Sequence, residues 1–180
     1  MDKPTFYCDC DGVILNTIEV AFKIMERMGI DIHNRKQVDD TFRTLIDWND
    51  IFAETGPINN SIDKIKLIKS SNIFKDIVIL TKISGSYYEE VLKRDYFKET
   101  LPDIRVITLQ YGLSKGSVVP AKGNILVDDE IGNCERWKNC DGTAILFKKN
   151  MCALEDNIIN DLEDIVYTEG AKKLLKTRYF

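Results

Sequence analysis

Apolar positions along the chain change their period several times, and each change marks a new element. "TFYCDC" at 5–10 is a short, nearly unbroken apolar run, the pattern of a strand buried on both faces. "TIEVAFKIMERMG" at 17–29 instead repeats every three or four positions. Ile18, Ala21, Phe22, Met25 and Met28 share one stripe and Gly29 is the stop, which predicts a helix. Residues 36–54 read as a second helix through Val38, Phe42, Leu45, Ile46 and Phe52. "TGPINN" at 55–60 is a break, and 61–71 is a third helix with Ser61 as its expected cap.

Beyond residue 75 the pattern alternates. "DIVILT" at 76–81, "IRVITL" at 104–109, "GNILVDD" at 123–129 and "GTAILF" at 142–147 predict strands. Helical stretches at 86–97 and 130–140, and a short turn or helix around "SKGSVV", separate them. The remainder to Phe180 reads as mostly helical. Strands alternating with helices predict an α/β fold, a doubly wound parallel sheet of about five strands in three layers. The helical run after the first strand is longer than one crossover needs. Residues 17–72 are therefore expected to form a small helical cap on a core of 1–16 and 73–180.

Composition narrows the function. The 180 residues, 44% hydrophobic and 30% charged, suit one domain with a real core. A net charge of -4 and a pI near 5.2 argue against a surface that tracks duplex nucleic acid. No apolar run approaches a membrane span. "MDKPT" lacks the apolar region of a secretory signal, so a cytoplasmic protein is expected. The five cysteines are an odd count without a disulfide-framework spacing. A zinc site built on Cys8 and Cys10 would need further ligands from a chain with His33 as its single histidine, so packing thiols are the better reading.

The candidate chemistry sits at strand ends. In an extended chain Cys8 and Cys10 point to one side, and Asp9 and Asp11 to the other, with Gly12 allowing a sharp turn. Alone, that pattern reads equally well as a turn with a strand-end cap. Asp128 and Asp129 end another strand, however, and Thr81 a third, at the edge where doubly wound sheets bind ligands. Gathered carboxylates repel unless a cation joins them, and hard oxygen donors suit Mg²⁺. Asp9, with a reference pKa of about 3.9, is ionised and needs no base to act as a nucleophile. The like charge beside Asp11 can hold it protonated as a general acid. Thr81 offers a hydroxyl, and the backbone N–H groups after it, from Lys82 onward, can hold phosphate oxygens. Lys115 or Lys122 would supply a cation; Lys115, among small residues at a helix start, is favoured.

"DCDGVI", "VILT", a downstream lysine and "ILVDD", in order across residues 5–147, resemble the four motifs of the haloacid-dehalogenase-like (HAD) hydrolases. The resemblance implies a Rossmann-like sheet, Mg²⁺ dependence and a phospho-aspartyl intermediate on Asp9. It implies Asp11 as acid then base, Thr81 and Lys115 on the phosphoryl group, and Asp9 and Asp128 on the metal. The backbone carbonyl of Asp11 would be a further metal ligand, and Asp129 would support the metal. "LVDDEIGNCERWKNCDGTAILF" is similar to the 5'(3')-deoxyribonucleotidase-like branch, although in this chain the spacing from Lys115 to Asp128 is longer than that branch leads one to expect, and Lys122 falls inside the extra length. In the cap, Phe42, Trp48 and Phe52 are candidates to stack on a base and Arg43 to meet a sugar or phosphate; aromatics at that spacing also read as core. Cys134, Trp137 and Cys140 fall on one helix face, as packing against the sheet. The expected substrate is a small phosphorylated metabolite, first a nucleoside monophosphate. A sugar phosphatase and a catalytically silent nucleotide- or metal-binding protein are the alternatives.

Overall fold

The computed structural model describes residues 3–150 and 157–179, without the side chains of Arg43, Tyr87 and 176–179. Among the described residues six strands make one sheet: β1 (Thr5–Cys8), β2 (Asp76–Ile83), β3 (Arg105–Gln110), β4 (Ile125–Asp128), β5 (Thr143–Phe147) and β6 (Ile158–Ile159). Their order is β3-β2-β1-β4-β5-β6, and every pairing is parallel. The sixth strand is two residues long, too short to leave a period in the sequence. The central strands are buried on both sides, and successive residues alternate between faces. Phe6, Cys8, Ile77, Ile79, Ile125 and Val127 pack on one face; Tyr7, Val78, Leu80 and Leu126 pack on the other. The two faces make the doubly wound α/β sandwich that the alternation of elements predicts.

Chain order reverses between β1 and β4, because the chain builds β1, β2 and β3 outward before returning beside β1. Such a reversal opens a crevice at the carboxyl ends of the two strands. Cys8 lies opposite both Val127 and Ile79, so Asp9, Asp128 and Thr81 emerge at nearly one level.

Four α-helices lie between β1 and β2, with a short 3-10 turn (Ile58–Asn60) before the last: α1 (Thr17–Arg27), α2 (Arg35–Thr44), α3 (Trp48–Glu54) and α4 (Ser61–Ser70). The chain leaves and returns at one point, where the Asn16 amide donates to the Gly56 carbonyl (3.1 Å) and the Gly56 amide to Asn16 Oδ1 (2.7 Å). Val20, Ala21, Ile24, Trp48 and Ile51 of α1 and α3 form a cluster of their own. Ile62 and Ile65 of α4 join the main core instead. The single helix expected over 36–54 is two, because Asp47 caps α3 by accepting from the Asn49 amide (2.8 Å). Ser61 does not cap α4; its hydroxyl donates to the Ile14 carbonyl (2.7 Å) and ties the helix to the core. The stripe expected on α1 is rotated. Val20, Ala21, Ile24 and Met25 are buried, while Met28 is exposed and Phe22 meets the Phe42 ring edge.

The remaining helices are α5 (Tyr87–Thr100), α6 (Lys115–Val118), α7 (Ile131–Lys138) and α8 (Glu169–Tyr179). On α7, Cys134 and Trp137 are buried, with Trp137 5.3 Å from the Tyr7 ring; Cys140 lies past the helix end and is exposed. Cys8 and Cys10 are buried in the core as free thiols, and burial pushes both well above the ordinary thiol range. Cys152 lies outside the described residues. Among the described residues no helix is long and apolar enough to cross a membrane.

Candidate active site

Where β1 ends, the chain turns over Gly12, at φ +75°. A side chain there would collide with the Asp129 carboxylate, so glycine lets the two loops close on each other. Carboxylate oxygens of Asp9, Asp128 and Asp129 all lie within 4.8 Å of one another. Lys115, at the start of α6 and 2% exposed, puts its ammonium 2.8 Å from Asp9 Oδ1 and 2.6 Å from Asp128 Oδ2. Lys122 is on the surface beside Asp141. Asp128 also accepts from the Glu130 amide (2.9 Å) and from Asn133 Nδ2 (3.0 and 3.1 Å).

One ammonium does not balance three acids. Burial pushes the Asp9 carboxyl up to about 8; Lys115 pulls the other way, and Asp128, Asp11 and Asp129 add to the rise. Burial, then the charges of Asp128 and Asp11, push Asp129 up to about 7. Burial opposes the charge on Lys115, but Asp9 and Asp128 outweigh it and hold the ammonium above the usual lysine range. Three hard oxygen donors short of positive charge fit a divalent cation such as Mg²⁺.

Asp11 stands apart from this group. Its Oδ1 accepts from the Thr17 hydroxyl (2.7 Å), and its Oδ2 from the Lys93 ammonium (2.5 Å). Thr81 is fully buried, with its hydroxyl 3.3 Å from Asp11 Oδ2. The nearest ionic neighbour of Asp11 is thus a lysine, an opposite charge, where the sequence leads one to expect the like charge of Asp9. Lys93 is 0% exposed and also reaches Glu89 at 2.7 Å. Burial works against its charge, and Asp11, Cys10 and Glu89 together hold it above the lysine range. The Lys82 side chain donates to Asn133 Oδ1 (2.7 Å), bridging β2 and α7.

Over these tips lies a cleft of about 340 Å³. Asp9, Asp11 and Asp129 form its floor; Ile18, Asp39, Phe42 and Trp48 of the inserted helices face Ile83 and Tyr111 across it. Phe52 packs between the Trp48 and Tyr96 rings instead, at 6.5 and 6.1 Å. The Arg43 side chain lies outside the described residues. Thr17, Lys93, Glu89 and Asn133 escaped the sequence argument. Only the Glu89–Lys93 spacing of four left a trace, and that spacing marks surface pairs as readily as buried ones.

No family model matches the chain, and no curated protein sequence matches it. Solved structures do match in shape. A magnesium-bound HAD-hydrolase, YfnB, from Bacillus subtilis superposes with a TM-score of 0.61 at 14% identity, over 93% of this chain and 98% of its own. A family IA HAD hydrolase from Entamoeba histolytica gives 0.54 at 13% identity, over 93% and 90%. A haloacid dehalogenase-like hydrolase from Xanthomonas campestris gives 0.52 at 11% identity, over 98% and 97%. The chain has the three-layer α/β fold found in these HAD hydrolases.

Proposed function

We propose that the protein is a Mg²⁺-dependent phosphomonoesterase, with a nucleoside 5'-monophosphate as its first-choice substrate. The observation that carries this reading is the Lys115 ammonium joining Asp9 to Asp128, within a group of three acids of which Asp9 and Asp129 line a cleft. Asp9, Asp128 and Asp129 would hold the cation, with the backbone carbonyl of Asp11 as a further ligand. Bound there, Mg²⁺ supplies positive charge against the phosphoryl oxygens and the carboxylates.

Asp9 is the nucleophile; burial raises its carboxyl, and the cation that would share it would favour the ionised form that attacks. Lys115 and the Cys10 amide hold Oδ1, and Oδ2 attacks phosphorus in line to give an aspartyl phosphate. Asp11 protonates the departing oxygen, then takes a proton from the water that hydrolyses the aspartyl phosphate. The Thr81 hydroxyl, the Lys82 amide and Lys115 bind the phosphoryl oxygens and offset their charge, the main source of catalysis in phosphoryl transfer. Helices α1–α3 act as the cap. Phe42 and Trp48 present aromatic walls to the leaving group, which supports a base there over a bare sugar.

The test is phosphate release from a panel of nucleoside and sugar monophosphates, with and without Mg²⁺. Release that depends on Mg²⁺ and is fastest for nucleotides is expected. Faster release from sugar phosphates would overturn the nucleotide assignment. Tight binding with no release from any ester would overturn the enzyme.

A further inference from the structure

The Lys93 ammonium is enclosed by oxygens. It donates to Asp11 Oδ2 (2.5 Å), Glu89 Oε1 (2.7 Å) and the Lys82 carbonyl (2.9 Å), with the Thr81 hydroxyl more distant at 3.3 Å. Three N–H groups meet three close acceptors, the full complement of an ammonium. Glu89 is itself fixed by the Ser84 amide (2.6 Å) and hydroxyl (2.5 Å). The Trp48 ring closes the remaining side, 5.1 Å from Nζ. Lys93 has no exposed surface and does not line the cleft, so it meets no substrate directly.

We propose that Lys93 is a positioning residue for Asp11. This rests on the proton-carrying role given to Asp11 above. Thr17 holds one carboxylate oxygen and Lys93 the other, so the group is clamped between α1 and α5 in one orientation. That orientation leaves Asp11 on the cleft floor but outside the group formed by Asp9, Asp128 and Asp129. A carboxylate drawn into that group would be lost to proton transfer. Glu89, itself held by Ser84, gives the buried ammonium a second carboxylate partner on α5 and so fixes where Lys93 meets Asp11. The same lysine anchors the carbonyl of Lys82, whose amide is assigned to the phosphate, and so sets acid and phosphate site from one point.

The test compares two esters. p-Nitrophenyl phosphate expels a leaving group that needs no proton, whereas the phosphate of a primary alcohol does need one. Lys93→Met is expected to slow single-turnover phosphorylation of Asp9 by about 100-fold with the alkyl ester and by less than about 5-fold with the aryl ester, while kcat falls with both because Asp11 is also the base of the shared hydrolysis step. Lys93→Gln, which keeps one donor, should show the same split at smaller size, and serves if Lys93→Met fails to fold. In an Asp11→Asn background, Lys93→Met should change alkyl turnover by less than about 3-fold, since both changes remove one function. Equal losses of phosphorylation rate with the two esters, or losses that multiply with Asp11→Asn, would overturn the positioning role while leaving the phosphatase intact. Wild-type protein that releases phosphate from neither ester under Mg²⁺ would overturn both readings.

Discussion

The strand tips and the inserted helices face one another across a single cleft, and they are built by opposite rules. At the tips the charged groups are buried and partnered: Lys115 with Asp9 and Asp128, Lys93 with Asp11 and Glu89. In the insert the cleft wall is apolar, with Ile18, Phe42 and Trp48, and its carboxylate Asp39 is half-buried. Burying charge is costly and is tolerated where geometry must be fixed. Apolar walls fix little and select by shape. The difference separates a rigid chemical pole from a pole that sorts ligands.

Asp9→Asn probes that division hardest. It should lower kcat by ~10⁴-fold or more in a phosphate-release assay, since it removes the nucleophile. The metal-free variant should nevertheless melt no lower than the wild type at pH 8, because one like charge has left the group. A lower melting temperature would mean that Asp9 is held for structure. Lys115→Met acts in the opposite sense. It leaves Asp9 and Asp128 buried without their cation, a loss of about 3–5 kcal/mol in urea unfolding of the metal-free protein. Millimolar Mg²⁺ should restore more stability to this variant than it adds to the wild type; an equal increment would place the cation elsewhere.

The acids also predict a pH dependence. The Asp9 carboxyl is raised from 3.8 to about 8 and that of Asp129 from 3.8 to about 7 on folding. Folding therefore favours their protonated forms. The stability this contributes is complete below the unfolded values and is lost as pH rises through about 7 and about 8. Melts of the metal-free protein should fall from pH 5 to pH 8.5, and less steeply in Asp9→Asn. Mg²⁺ should raise the melting temperature more at pH 8.5 than at pH 5. A pH-independent response to Mg²⁺ would contradict binding at these acids. The smallest effect belongs to the insert. Phe42→Ala should raise KM for a nucleotide about 10-fold, about 1.4 kcal/mol, with kcat little changed. A fall in kcat with constant KM would show that the two poles are not separable.

What could be read from sequence follows the same line. Asp9 and Asp128 were legible because each closes a strand, and Thr81 because it lies near the end of one (β2 runs on to Ile83), and a parallel sheet delivers strand ends to one edge whatever the rest of the chain does. Lys115 was legible only as one of two lysines, and three-dimensional position separates it from Lys122. Lys93, Glu89, Thr17 and Asn133 were not legible, because each becomes notable through a partner on another element. The apolar period also hid local chemistry. Asp47 splits one helix into two, Ser61 spends its hydroxyl on Ile14, and β6 is too brief for a period. In the insert, Phe42 and Trp48 do line the cleft, while Phe52, at the same helical spacing, packs against Tyr96.

The most direct test of the account is to find where the phosphoryl group goes. Asp11→Asn, incubated with Mg²⁺ and a ³²P-labelled aryl phosphate, forms the aspartyl phosphate without needing an acid but lacks the base to hydrolyse it. Acid quenching and peptide mapping should recover a hydroxylamine-labile label on Asp9. Phosphate released by this variant with no label on the protein, or label recovered on another residue, would contradict Asp9 as the nucleophile.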